Sequence, residues 1–286
     1  MRILMPVDGS IQSNAAIDFV SGRATLLHQA PVIRLLNVQP QISARIARAI
    51  GRESARAILR EQAGDVLRPA LARLQRAGVA ARSSFTQGGS STAIADVAVR
   101  GRFELIVMGS HGRSGLKGLL FGSMTNAVLA ACTVPLLVVR SGNAPEGDSL
   151  VVGVAVDGSK YALAAARWAL EHRDLFGADP RFQVIHVLSA DPQDDSGTDA
   201  FEKVVAPVRR LFAKATLEPT TICLRSRDPG DAIAGHAIKR RIDVIVLGSH
   251  GRGALLSVVM GSVAMRVAAK CEKPLLLIRE ATAIPD

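Results

Sequence analysis

The sequence states one pattern twice. Val7-Asp8-Gly9-Ser10 recurs as Val156-Asp157-Gly158-Ser159, and Asn37-Val38 recurs as His186-Val187, both 149 residues later. Gly109-Ser110-His111-Gly112-Arg113 recurs as Gly248-Ser249-His250-Gly251-Arg252, Gly122-Ser123 as Gly261-Ser262, and Val134-Pro135-Leu136-Leu137 as Lys273-Pro274-Leu275-Leu276, now 139 residues later. The change of offset places ten extra residues in the first copy, between Val38 and Gly88. A unit of about 140 residues is too long for a solenoid repeat and has the size of a globular domain, so the chain reads as a duplicated domain. The expected bounds are 1–141 and 149–286, with a short linker rich in Gly, Asn, Pro and acidic residues between them.

Within each copy, short apolar runs alternate with longer helix-compatible segments. That alternation is the mark of an α/β domain built on a parallel sheet buried on both faces. The expected strands lie near 2–7, 32–38, 80–86, 103–109 and 135–139 in the first copy, and near 150–156, 182–188, 219–225, 242–248 and 274–278 in the second. An apolar content of 48% with 21% charged residues excludes a disordered chain.

In an open parallel sheet a ligand sits beyond the carboxyl ends of the strands, where strand order reverses. Residues just after strands are therefore the informative ones. Asp8 follows the first strand and Gly109 closes the fourth, and Gly109, Gly112, Gly122 and Ser123 spell Gly-x2-Gly-x9-Gly-Ser before an apolar helix. Asp157, Gly248, Gly251, Gly261 and Ser262 hold the same register in the second copy. Such glycines let the backbone approach a bulky anion, and the helix that follows adds N–H donors and a favourable dipole. Ser123 and Ser262 can cap that helix or offer a hydroxyl to a phosphate. A carboxylate at Asp8 suits ribose hydroxyls or a base amine. Val38, and Val187 in its place, can present backbone groups to the edge of a base. Arg113 and Lys117 bring cations to the first loop, whereas the second has Arg252 but Leu256 in the place of Lys117. The same residues also admit a reading without ligand, as turn glycines and helix caps.

This constellation resembles the universal stress protein family, whose ATP-binding members show an Asp after strand one and Gly-x2-Gly-x9-Gly-Ser/Thr after strand four. The resemblance covers nearly the whole chain, twice. It implies two tandem Rossmann-like, adenine nucleotide alpha hydrolase-like domains, each a five-stranded parallel sheet of order 3-2-1-4-5 flanked by helices. Its implied ligand is ATP or a related adenine nucleotide, with accompanying magnesium left open, at Asp8, Val38, Gly109, Gly112, Gly122 and Ser123, and at Asp157, Val187, Gly248, Gly251, Gly261 and Ser262, to which the loop cations Arg113 and Arg252 are added as candidate phosphate contacts. The implied role is a stress-response sensor or switch, the alternatives being a slow ATPase or nucleotidyl-transfer enzyme and a nucleotide-free scaffold. The last strands resemble those through which family members dimerise, so fusion would make that pairing internal, with self-association of whole chains as a further expectation. One departure stands out. Where the family often has Gly-Asp-Pro before the third helix, this chain has Gly88-Gly89-Ser90 and Arg227-Asp228-Pro229.

Other features weigh on function less directly. No G-x-S-x-G elbow, H-E-x-x-H or Walker pattern is present, and His111 and His250 lack a partnered nucleophile in sequence, so they read as surface residues before catalytic ones. Cys132, Cys223 and Cys271 have no metal-ligand spacing and read as reduced thiols. No signal-peptide core and no membrane-length apolar run is visible, which leads to the expectation of a cytoplasmic protein.

The net charge of +10 resides in residues 1–141, with 17 Lys+Arg against 7 Asp+Glu. Arg45, Arg48, Arg52, Arg56 and Arg60 recur at spacings of three and four, which predicts one basic helix face. That face would meet an acidic partner, a nucleic acid backbone or an anionic membrane, or else stand solvated or paired with the acidic Asp191–Glu202 stretch. An aromatic content of 3% disfavours nucleic acid.

Overall fold

The computed structural model describes residues 1–110, 123–140, 144–190, 197–249 and 260–279. The first copy runs β1 (Arg2–Pro6), α1 (Ile11–Ser21), α2 (Ala24–His28), β2 (Val32–Gln39), α3 (Ala44–Ile50), α4 (Arg52–Arg76), β3 (Ala81–Gln87), α5 (Ser90–Arg100), β4 (Leu105–Gly109), α6 (Ser123–Ala131) and β5 (Leu136–Val139). The second runs β6 (Val151–Ala155), α7 (Lys160–Glu171), β7 (Arg181–Leu188), α8 (Thr198–Lys214), β8 (Thr220–Arg225), α9 (Pro229–Lys239), β9 (Val244–Gly248), α10 (Ser262–Lys270) and β10 (Leu275–Ile278).

All ten strands join one sheet of order β3-β2-β1-β4-β5-β10-β9-β6-β7-β8. Each copy thus contributes a five-stranded unit of order 3-2-1-4-5, parallel throughout. At the centre β5 meets β10 in antiparallel fashion, with Leu137 opposite Leu276. Those two leucines are equivalent at the 139-residue offset, so the seam is self-complementary in the way of a twofold dimer interface. The pairing implied between last strands is therefore formed inside one chain.

The strand residues alternate between two apolar clusters, one on each face of the sheet. Ile3, Met5, Leu105, Val107, Leu137, Val139, Val244, Val246 and Leu276 face one way, and Leu4, Ile106, Met108, Leu136, Val138, Ile245, Leu247 and Leu275 the other. Helices α1, α4, α7 and α8 cover the first face, and α5, α6, α9 and α10 the second. Both clusters draw residues from both copies. A fully buried side chain of this kind contributes about 1.5–3 kcal/mol, so parting the copies at β5 and β10 would expose a costly row of them.

Local chemistry sets the helix starts that matter at the ligand end of the sheet. Ser10 caps α1 by accepting from the Ser13 N–H at 3.1 Å, and Ser159 caps α7 by accepting from Ala162 at the same distance. Asp228 caps α9 by accepting from Asp231 N–H at 3.0 Å, with Pro229 at the first helical position, where no N–H is needed.

The basic stripe departs from the sequence expectation. Gly51, with φ +83°, separates α3 from α4, so Arg45 and Arg48 stand on one helix and Arg52, Arg56 and Arg60 on the next. All five are exposed. Glu202, within the acidic stretch considered as a partner, instead accepts from Arg209 at 2.8 Å, and Asp191 to Ser196 lie outside the described residues.

Candidate functional site

Strand order brings the carboxyl ends of β1, β2 and β4 side by side, since β1 is flanked by β2 and β4. Asp8, Val38 and Gly109 stand at those three ends, and β6, β7 and β9 do the same for Asp157, Val187 and Gly248. These ends adjoin the point where strand order reverses, the place where open α/β sheets take ligands.

Asp8 is partly buried and its Oδ1 accepts from the Ser10 N–H at 3.0 Å. Asp157 repeats this with Ser159 at 2.9 Å. The carboxylate is therefore fixed by the turn that starts the following helix, which holds it at the rim of the sheet. Beside it, Asn37 Nδ2 donates to the Val7 carbonyl at 2.8 Å, and Gln39 Nε2 donates to Asn37 Oδ1 at 2.6 Å. In the second copy His186 replaces Asn37, and its Nδ1 lies 2.8 Å from the Val156 carbonyl, so the ring proton sits on Nδ1 and donates. Both side chains are buried and tie the second strand's end to the first, setting the position of Val38 and Val187. The repeat of Asn-Val as His-Val marks these positions in the sequence, but not their bracing role.

Gly109 and Gly248 serve packing. A Cβ on Gly109 would lie 2.6 Å from the Gln12 backbone carbon and 2.8 Å from the Ser13 nitrogen, so its bareness lets the start of α1 press against the end of β4. On Gly248 it would meet the Tyr161 backbone at 3.0 Å. After each glycine comes a buried serine that the sequence reading passed over. The Ser110 N–H donates to the Val139 carbonyl at 2.9 Å, and its own carbonyl accepts from Thr125 Oγ1 of α6 at 3.1 Å. Ser249 N–H donates to Ile278 at 2.8 Å, and its carbonyl accepts from the Gly261 N–H at 2.7 Å. Each serine thus fastens the end of the fourth strand to the helix that follows the glycine loop.

Ser123 and Ser262 are the exposed first residues of α6 and α10. Gly261 occupies the N-cap of α10, and having no side chain it makes no capping bond. Ser262 is therefore not the cap of its helix, contrary to the sequence expectation. Gly112, Arg113, Gly122, Gly251 and Arg252, with His111, Lys117, His250 and Leu256, lie outside the described residues.

The second copy carries a further charged group at this end. Arg266 of α10 lies 2.9 Å from Asp228 Oδ2 and 3.2 Å from Asp231 Oδ1, tying the start of α9 to α10. The Asp231 backbone N–H, and then Arg266, hold the Asp228 carboxyl below its ordinary value. In the first copy Gly89 stands at the cap of α5 with no side-chain bond. The two candidate sites are therefore braced differently.

Among the described residues no cluster of His, Cys, Asp and Glu is arranged to hold a metal, and no helix is long and apolar enough to cross a membrane. One cleft of about 470 Å³ opens between Arg34, Thr86 and Arg100, and its counterpart of about 400 Å³ lies beside Gln183, Cys223 and His236.

Comparison with known proteins agrees with the duplication. The sequence model of the universal stress protein family matches twice, over residues 1–140 and 151–279. A universal stress protein of Mycolicibacterium smegmatis is 23% identical over 97% of this chain and 96% of its own length. A single-copy-length universal stress protein of Thermus aquaticus is 31% identical over 44% of this chain and 96% of its own. The crystal structure of a universal stress protein from Archaeoglobus fulgidus superposes with a TM-score of 0.74 at 23% identity, covering 97% of this chain and 98% of that one. With both halves matched and the fold shared along its whole length, the chain belongs to the universal stress protein family.

Proposed function

We propose that each copy binds an adenine nucleotide, ATP, at the carboxyl ends of its first and fourth strands, and that the chain acts as a nucleotide-dependent stress-response sensor inside the cytoplasm. The observation that carries this reading is the twofold recurrence of one arrangement: a turn-fixed aspartate beside the end of the fourth strand, followed by a helix that begins on an exposed serine. The donor set fits the ligand. Asp8 and Asp157 offer acceptors to ribose hydroxyls, Val38 and Val187 offer backbone at the rim, and the starts of α6 and α10 offer N–H groups and a positive helix end to phosphates. Gly112, Arg113, Gly122, Gly251 and Arg252 would complete the phosphate contacts. ATP acts as a switch if it binds one arrangement of these loops more tightly than another.

The test is calorimetric titration of ATP, with and without magnesium, into the wild type, Asp8→Asn and Asp157→Asn. Asparagine keeps the oxygen that accepts from Ser10 or Ser159 and replaces the other with an N–H donor, so the turn survives while an acceptor is lost. Each substitution weakens one of two sites by about tenfold or more, the worth of a charge-assisted hydrogen bond. A wild type that binds no nucleotide removes the proposal.

A further inference from the structure

Helix α3 belongs to the fold by contact with α4 and contributes nothing to the core. None of its seven residues is buried. Ile46 and Ile50 are 52% and 41% exposed and stand one turn apart on one side of the helix, and Ile42, just before the N-cap Ser43, is half-buried. Arg45 and Arg48 occupy the opposite, exposed side of the same helix, and Arg52, Arg56 and Arg60 continue exposed on α4. Glu53 and Glu61 are the acidic residues among them, which leaves a charge of +3 over 44–61. The second copy connects β7 to β8 in ten fewer residues than the first uses from β2 to β3. This surface lies on the longer of the two connections.

Guanidinium groups and isoleucines ask different things of a partner. A polynucleotide supplies the anions, but residues 40–62 contain no aromatic side chain on which bases could stack, and the isoleucines would stay in water. An anionic bilayer supplies both, with headgroup phosphates for the arginines and the acyl boundary for the isoleucines, which is the composition of helices that lie in a membrane interface. We propose that the α3–α4 face docks this chain on an anionic phospholipid surface. The docking is independent of the nucleotide sites and places the basic half of the chain against the lipid.

The experiment is co-sedimentation of the full chain with phosphatidylcholine vesicles, with and without phosphatidylserine, for the wild type, Arg45→Gln/Arg48→Gln and Ile46→Asn/Ile50→Asn. None of these side chains is buried, so each variant keeps the fold. The wild type sediments with phosphatidylserine vesicles alone, and salt releases it. The arginine pair binds roughly 25-fold more weakly, at about fivefold per charge. The isoleucine pair binds roughly tenfold more weakly, through lost apolar burial. A wild type that stays in the supernatant overturns the proposal. So does an isoleucine pair that binds like the wild type. Binding to duplex DNA that depends on the arginines alone, without vesicle binding, assigns the face to nucleic acid instead.

Discussion

Arg140 and Arg279 exchange places across the seam between the copies. They are equivalent at the 139-residue offset, each one residue past the last strand of its copy. Arg140 Nη1 donates to the Ala268 carbonyl and, at 2.8 Å, to the Cys271 carbonyl at the end of α10. Arg279 Nη1 donates to the Leu129 carbonyl and, at 3.0 Å, to the Ala130 carbonyl at the end of α6. Each copy thus caps the carboxyl end of the other's helix with a cation, which satisfies carbonyls that the helix leaves unpaired and favours its dipole. Arg140→Ala or Arg279→Ala should cost about 1–3 kcal/mol through the stranded carbonyls, read as a lower denaturation midpoint. Lysine should recover only part, because it lacks the planar fork.

The Asp228–Arg266 pair makes stability depend on acid. The folded carboxyl lies below its ordinary value, so its contribution is present above the unfolded value of about 3.9 and is lost as pH falls through the folded one. Asp228→Asn keeps a capping oxygen and loses the charge. The wild type should be the more stable near neutrality, and the difference should close in acid, measured by chemical denaturation across that range.

Arg23 is 1% exposed, yet its guanidinium donates to the carbonyls of Pro145 and Gly147 between the copies and lies 5.1 Å from the Phe19 ring. It pins the connecting segment to the first copy. Arg23→Ala should destabilise the chain by about 1.5–3 kcal/mol, the worth of hydrogen bonds from a charged group, and should open residues 144–148 to limited proteolysis.

Gly109→Ala should destabilise by about 1–3 kcal/mol, since the new methyl must displace backbone at the start of α1. Gly248→Ala, with 3.0 Å to Tyr161 where Gly109 has 2.6 Å to Gln12, should cost less. Denaturation midpoints of the two variants give the comparison. A loss of nucleotide binding at either glycine has to be judged against this loss of fold.

The sheet was readable from sequence because its chemistry is local and repeated. Runs such as Ile3-Leu4-Met5 and Leu105-Ile106-Val107-Met108 are buried on both faces, and the expected strands match the observed ones to within two residues. The positions of Asp8, Val38 and Gly109 followed from those strands. What escaped reading depended on backbones meeting in space. The close approach of α1 gives Gly109 a packing duty that no spacing reveals, and the bracing by Ser110 and Asn37 requires knowing which carbonyls stand opposite. The spacing of the five arginines suggests one continuous helix, although Gly51 between Arg48 and Arg52 is itself a stop signal.

The central claim is most directly tested by denaturing freshly purified protein and identifying and counting the released nucleotide by mass spectrometry, repeated after incubation with ATP and magnesium. Up to two adenine nucleotides per chain, falling by one in Asp8→Asn and by one in Asp157→Asn, is the predicted result. A chain that carries no nucleotide on isolation and takes up none after incubation contradicts it.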